Sequence, residues 1–178
     1  MKLKFLSVAA LGLALAACGE APAEARNTDR YTIEIVGMDG SAVHYIHGGE
    51  DGRSAALSTQ DNEPDAARLT PGRTAERVFR EAMAEFDVPA GEPQDVQIRL
   101  FGQSFAANDD QDGDGHVAMN LNLPDGRQIS LNAANSDSND EAHVVMAGWD
   151  KQDVADYIDD IDDAPRELRE EMKDRLGL

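Results

Sequence analysis

Apolar and polar residues alternate over Tyr31-Thr32-Ile33-Glu34-Ile35-Val36, the period-two pattern of a half-buried strand. Met38-Asp39-Gly40 supplies a turn into Ala42-Val43-His44-Tyr45-Ile46, so the two segments predict a hairpin. Arg53 to Thr59 reads as a third strand and Gln60 to Ala67 as loop. His44 and His47 stand three apart, which on a strand sends them to opposite faces and keeps them from gripping one metal without a bend. The Gly48-Gly49-Glu50-Asp51-Gly52 loop lacks the Lys-Ser/Thr ending of a phosphate-binding loop and is given no nucleotide role.

The period then changes. Thr70-Pro71 predicts a helix start, with Thr70 as cap and Pro71 at the first helical position. Ala75, Val78, Phe79, Ala82, Met83 and Phe86 follow at helical spacing as one apolar stripe. After Pro89, Gly91 and Pro93 the period returns to two: Val96, Ile98 and Leu100 alternate, and Gly102 marks a bulge before Phe105. Val117, Met119, Leu121 and Leu123, the turn Pro124-Asp125-Gly126, then Ile129 and Leu131 predict a second hairpin whose apolar residues share a buried face. Its other face carries Ala118, Asn120, Asn122, Gln128, Ser130 and Asn132, neutral and amide-rich, a contact surface for a glycan or an envelope protein if it is not simply solvated. Val144-Val145-Met146 reads as an interior strand. Asp150 caps a helix with Val154, Tyr157, Ile158 and Ile161 on its buried side. Acid at Asp159 to Asp163 ends that helix against its dipole. Pro165 opens a last helix that buries Leu168, Met172 and Leu176. The expectation is an α+β fold: an antiparallel sheet of six or seven strands, one intervening helix and two C-terminal helices.

Chemistry concentrates between two of these strands. Asp109-Asp110-Gln111-Asp112-Gly113-Asp114-Gly115-His116 places carboxylates at every second position from Asp110. A calcium ion takes six to eight oxygen ligands at about 2.3 to 2.6 Å, and a tightly wrapped chain aims alternate side chains at it. The run resembles the first half of an EF-hand loop, with Asp110, Asp112 and Asp114 at its first, third and fifth positions, Gly115 at the sixth and the His116 carbonyl at the seventh. It departs from that family at the twelfth position, where Leu121 replaces a bidentate Glu, and no amphipathic helix flanks it. Asp109, or a carboxylate of the second acidic loop such as Asp137, Asp140 or Glu141, is expected to complete the shell. The competing account is a solvated Asx-rich turn.

The N-terminus is a targeting segment. Lys2 and Lys4 precede an apolar run from Phe5 to Ala17, shorter than the roughly 20 residues that span a bilayer. Leu15-Ala16-Ala17-Cys18 resembles the lipobox of bacterial lipoproteins, and Cys18 is the chain's single cysteine. The resemblance implies cleavage before Cys18, diacylglycerol on its sulfur and acylation, palmitate included, of the new N-terminus. Gly19 after that cysteine implies the outer membrane, with the domain facing the periplasm. Residues 1–18 are thus read as signal and lipidated cysteine, 19–29 as tether and 30–178 as one globular domain.

Charge narrows the partners. The chain has 16 basic and 35 acidic residues, a net −19 that becomes −21 once Lys2 and Lys4 leave with the signal. Such a surface repels nucleic acid and anionic headgroups, so the membrane is reached through lipid. Fifteen acidic residues lie between Asp109 and Asp163 against only Arg127 and Lys151, and this clustering favours cation binding over a uniformly acidified surface. No G-x-S-x-G elbow is present and the only thiol is committed to lipid. The reading is therefore a lipid-anchored envelope protein of binding or structural type stabilised by calcium, with an enzyme as the minority reading. The alternative is a transition-metal carrier or metal-dependent hydrolase using His116 and His143 with nearby carboxylates.

Overall fold

The computed structural model describes residues 29–88, 96–100, 103–109, 115–136 and 139–178. Cys18, Asp110, Asp112, Asp114, Gly102 and Asp137 lie outside them. Nine strands form one antiparallel sheet among the described residues: β1 Tyr31–Met38, β2 Ser41–Gly48, β3 Arg53–Gln60, β4 Arg68–Pro71, β5 Val96–Leu100, β6 Gln103–Asp109, β7 Gly115–Asn122, β8 Gln128–Ser136 and β9 Asn139–Trp149. Their order, β4-β3-β2-β1-β9-β8-β7-β6-β5, is two up-and-down meanders joined where β1 pairs with β9. Among the described residues three α-helices complete the α+β fold: α1 Arg73–Glu85, α2 Lys151–Asp159 and α3 Arg166–Leu176.

The expected six or seven strands thus become nine. One reason is Arg68–Pro71, which pairs with β3 at the sheet edge through Ala55↔Pro71 and Leu57↔Leu69. Proline is tolerated on an edge strand because its missing N–H need not face a neighbour. Thr70 and Pro71 therefore end a strand and do not open the helix as expected. Gly72, at φ 64°, makes the bend, its N–H donates to Ser54 O at 2.7 Å, and α1 begins at Arg73 with no side-chain cap.

The helices divide between the two faces of the first meander. Cross-strand partners point the same way, so Ile33, Ile46, Ala55 and Leu57 form one face, and Val36, Tyr45 and Ala56 belong to the other. The first face is covered by α2 and α3 through Val154, Ile158, Ile161, Ala164, Met172 and Leu176. The second is covered by α1 through Ala75 and Phe79, with Ala82, Met83 and Phe86 packed beside them. Each fully buried large side chain here contributes about 1.5 to 3 kcal/mol. The hydrophobic spacing seen in the sequence is the cause: one stripe per helix, one alternate set per strand.

Capping follows the chemistry of the termini. Asp150 accepts from the N–H groups of Gln152 (2.9 Å) and Asp153 (3.0 Å), as the sequence predicts. The acidic end of α2 is neutralised from within: Lys173 Nζ lies 2.9 Å from Asp159 Oδ1 and Arg169 donates to Asp159 O.

The second meander is built differently. Met119↔Leu131 and Leu121↔Ile129 pair as expected, and Phe105↔Met119 extends the same apolar face to β6. These side chains are not the buried set that the alternation predicts. Met119, Leu121, Ile129 and Leu131 are half-buried and Phe105 is 39% exposed. Among the described residues the helices pack over β1 to β4, and neither core cluster includes these five. The alternation thus identifies the face correctly and overstates its burial, because period two says which residues share a side and not whether anything lies on it.

Candidate functional site

The acidic end of the sheet is assembled by register. Asp109, the last residue of β6, is the cross-strand partner of Gly115, the first of β7, so residues 110–114 connect two paired strands. Gly115 in turn faces Asn135, and Asn135 faces Asp140. The second acidic loop therefore turns at the same end of the sheet as the first. The β1–β2 turn joins them there: Asp39 N–H donates to Asp140 O at 3.1 Å. Asp39 at φ 46° and Gly40 at φ 74° form the two-residue turn that the right-handed strand twist favours. A cleft of about 330 Å³ between these turns is lined by Asp39, Asp61, Asn135, Asp140 and Glu141, among others. The buried Glu141 carboxylate accepts from Asp87 N–H at 2.7 Å, tying the end of α1 to this edge. His116 is buried within β7, where its main chain pairs with Asn108 on one side and Ala134 on the other. Any metal bound by its carbonyl competes with that ladder.

A second cluster runs across the face that carries α1. His47 on β2, Glu34 on β1, His143 on β9, Asn132 on β8 and His116 on β7 all point to it, since Glu34↔Tyr45, Val36↔His143, His143↔Asn132 and Ala134↔His116 fix one alternate set. Glu34 lies at its centre. Its Oε1 is 3.1 Å from His47 Nε2 and its Oε2 is 3.8 Å from His143 Nε2. His143 and His47 together hold the Glu34 carboxyl down to about 2, against the opposing effect of partial burial. His47 makes the true hydrogen bond. His143 Nε2 is buried and makes no hydrogen bond to a described group, and its contact with Glu34 at 3.8 Å is looser. Further along, His116 Nε2 lies 2.5 Å from Asn132 Oδ1. Aromatic rings enclose the centre: Phe79 and Phe86 stand 6.0 and 5.9 Å from the His143 ring, and Tyr45 stacks on His47 at 5.0 Å.

The predicted histidines fall as follows. His44 and His47 point to opposite faces, as their spacing requires; His44 bonds Tyr157 and takes no part in the cluster. His116 and His143 share a face, separated by Asn132 rather than in contact. Among the described residues no group of three or more His, Cys, Asp or Glu side chains is arranged to hold a metal ion. Glu34 is the residue that sequence reasoning passed over. It stands at an ordinary polar position of the period-two pattern, so the strand alone did not single it out, and its partners arrive only through strand pairing.

Comparison with family models, with curated proteins and with solved structures found no match. Among the described residues no helix is long and apolar enough to cross a membrane.

Proposed function

We propose that the chain is a lipid-anchored bacterial envelope protein of binding or structural type, held by lipid on Cys18 at the periplasmic side of the outer membrane. Calcium stabilises its acidic sheet end. Asp110, Asp112 and Asp114 supply the first carboxylates, with the His116 carbonyl and Asp109 beside them. One observation supports the calcium reading above the others: Asn135 is the register partner of both Gly115 and Asp140. Strands about 4.8 Å apart bring the second acidic turn beside the first, so a carboxylate missing from the twelfth loop position has a source nearby. Without a counter-ion these carboxylates repel one another. The neutral face of β7 and β8, where Asn120, Asn122 and Gln128 are exposed, meets a glycan or an envelope protein. Metabolic palmitate labelling of the wild type and Cys18→Ser tests the anchor, with label expected in the wild type alone. Calorimetric calcium titration tests the loop, and Asp112→Ala is expected to abolish the heat.

A second reading, a transition-metal carrier or metal-dependent hydrolase, draws on His116 and His143 sharing a face and on the buried, hydrogen-bond-free Nε2 of His143 beside Glu34. It predicts zinc uptake lost on His143→Ala and retained on Asp112→Ala, the reverse of the calcium reading.

A further inference from the structure

Helices cover both faces of the first meander, and the second is left largely uncovered among the described residues. Over β1 to β4 the face holding Ile33, Ile46 and Leu57 is sealed by α2 and α3. The same face continues across β9, β8, β7 and β6 as Val144, Leu131, Ile129, Val117, Met119, Leu121 and Phe105. Among the described residues no helix packs over β6 to β8, Phe105 is 39% exposed, and Val117, Met119, Leu121, Ile129 and Leu131 are half-buried outside both core clusters. We propose that this apolar wing is a self-association surface that meets the same wing of a second copy, sheet face against sheet face.

Three features select a second copy over other occupants. The first is shape. An open antiparallel sheet face is matched by another such face packed about 10 Å away, whereas a small ligand requires a concave, enclosing pocket. The second is size. Four strands at about 4.8 Å and eight residues at about 3.4 Å give a wing of roughly 520 Å² in plan, before side-chain relief, about two thirds of the roughly 800 Å² that each partner contributes to a standard interface. Exposed apolar patches beyond a few hundred Å² mark association sites. The third is charge. A chain of net −19 repels its own copies almost everywhere, but from Val117 to Leu121 and from Ile129 to Ala133 the wing positions bear no charge. An anionic bilayer meets the acidic turns at the wing's end and is repelled, and a surface-seeking membrane element carries Lys and Arg, which this face lacks.

An isologous pairing with its two-fold axis crossing the strands sets the acidic turns of the two copies at opposite ends. With that axis passing over β7, Met119 at the middle of the strand lies near its own counterpart.

The test uses full-length chain in membranes of expressing cells. Met119→Cys and Asn122→Cys are each treated with a short bismaleimide and compared with the unsubstituted chain. Asn122 is exposed on the opposite face of the same strand. The expected result is a band of doubled mass for Met119→Cys, several-fold stronger than for Asn122→Cys, and lost when Leu131→Asp is added. Circular dichroism of each variant separates loss of pairing from loss of folding. Equal bands from both cysteines, or none from Met119→Cys in a folded chain, overturn the proposal. So does a Met119 thiol that stays monomeric and is protected from a soluble maleimide only by added phospholipid vesicles, which assigns the wing to lipid.

Discussion

His44 Nδ1 lies 2.6 Å from the hydroxyl of Tyr157, a single polar contact that joins β2 to α2 across the main core. Burial holds the histidine down to about 4 and pushes the tyrosine well above its ordinary value, so both are neutral when the fold is intact. Because the folded pKa lies below the unfolded value of 6.5, the unfolded chain takes up the proton first. The stabilisation is complete above pH 6.5 and is lost as pH falls from 6.5 towards 4, by at most about 3 kcal/mol. Denaturant unfolding at a series of pH values is expected to show this slope in the wild type and to lose it in His44→Phe. An unchanged slope in the variant contradicts the assignment.

Glu34 acts in a lower window. With its folded pKa near 2 and an ordinary value of 4.5, its contribution is present above pH 4.5 and disappears as pH falls towards 2. Glu34→Gln is expected to flatten the stability curve in that range while leaving the step between 6.5 and 4 in place. At neutral pH the same substitution costs about 1 to 3 kcal/mol, as a charged acceptor between two imidazoles is replaced by a neutral amide. Urea midpoints measured from pH 2.5 to 7 distinguish the two groups.

Gly48 closes β2 at φ 131°, where a Cβ would stand 2.5 Å from Arg30 O and 2.9 Å from Tyr31 Cα. Those are backbone atoms of the neighbouring strand and cannot swing away. Gly48→Ala is expected to cost about 2 to 4 kcal/mol. Gly52, at φ 59° with open space around it, is the control: Gly52→Ala carries only the left-handed backbone penalty, about 1 to 2 kcal/mol. Thermal midpoints of the two variants should therefore separate clearly.

Asp150→Ala removes an acceptor shared by two first-turn N–H groups of α2. A loss of about 1 kcal/mol is expected in denaturant unfolding, and Asp150→Asn should recover most of it.

Local rules carried the fold furthest where one segment decides its own structure. Met38-Asp39-Gly40 specified a hairpin because only a turn tolerates positive φ at two successive residues, and Asp150 specified a helix start because its oxygen has N–H groups to meet. Thr70-Pro71 misled because cap chemistry and edge-strand chemistry use the same residues, and pairing with Ala55 decided between them. The Glu34 cluster was unreadable for another reason. Its members lie on five strands, and only the β1–β9 junction of two meanders brings His143 to Glu34. The acidic loops were legible as composition, while their shared end of the sheet followed from strand order.

The most direct test of the central claim is the thermal midpoint of the chain after chelation, with calcium, magnesium and zinc added back separately, wild type beside Asp112→Ala. The account predicts that calcium raises the wild-type midpoint through binding to the folded state and leaves the variant unmoved. A wild-type midpoint that calcium does not move, or one that only zinc raises, contradicts it.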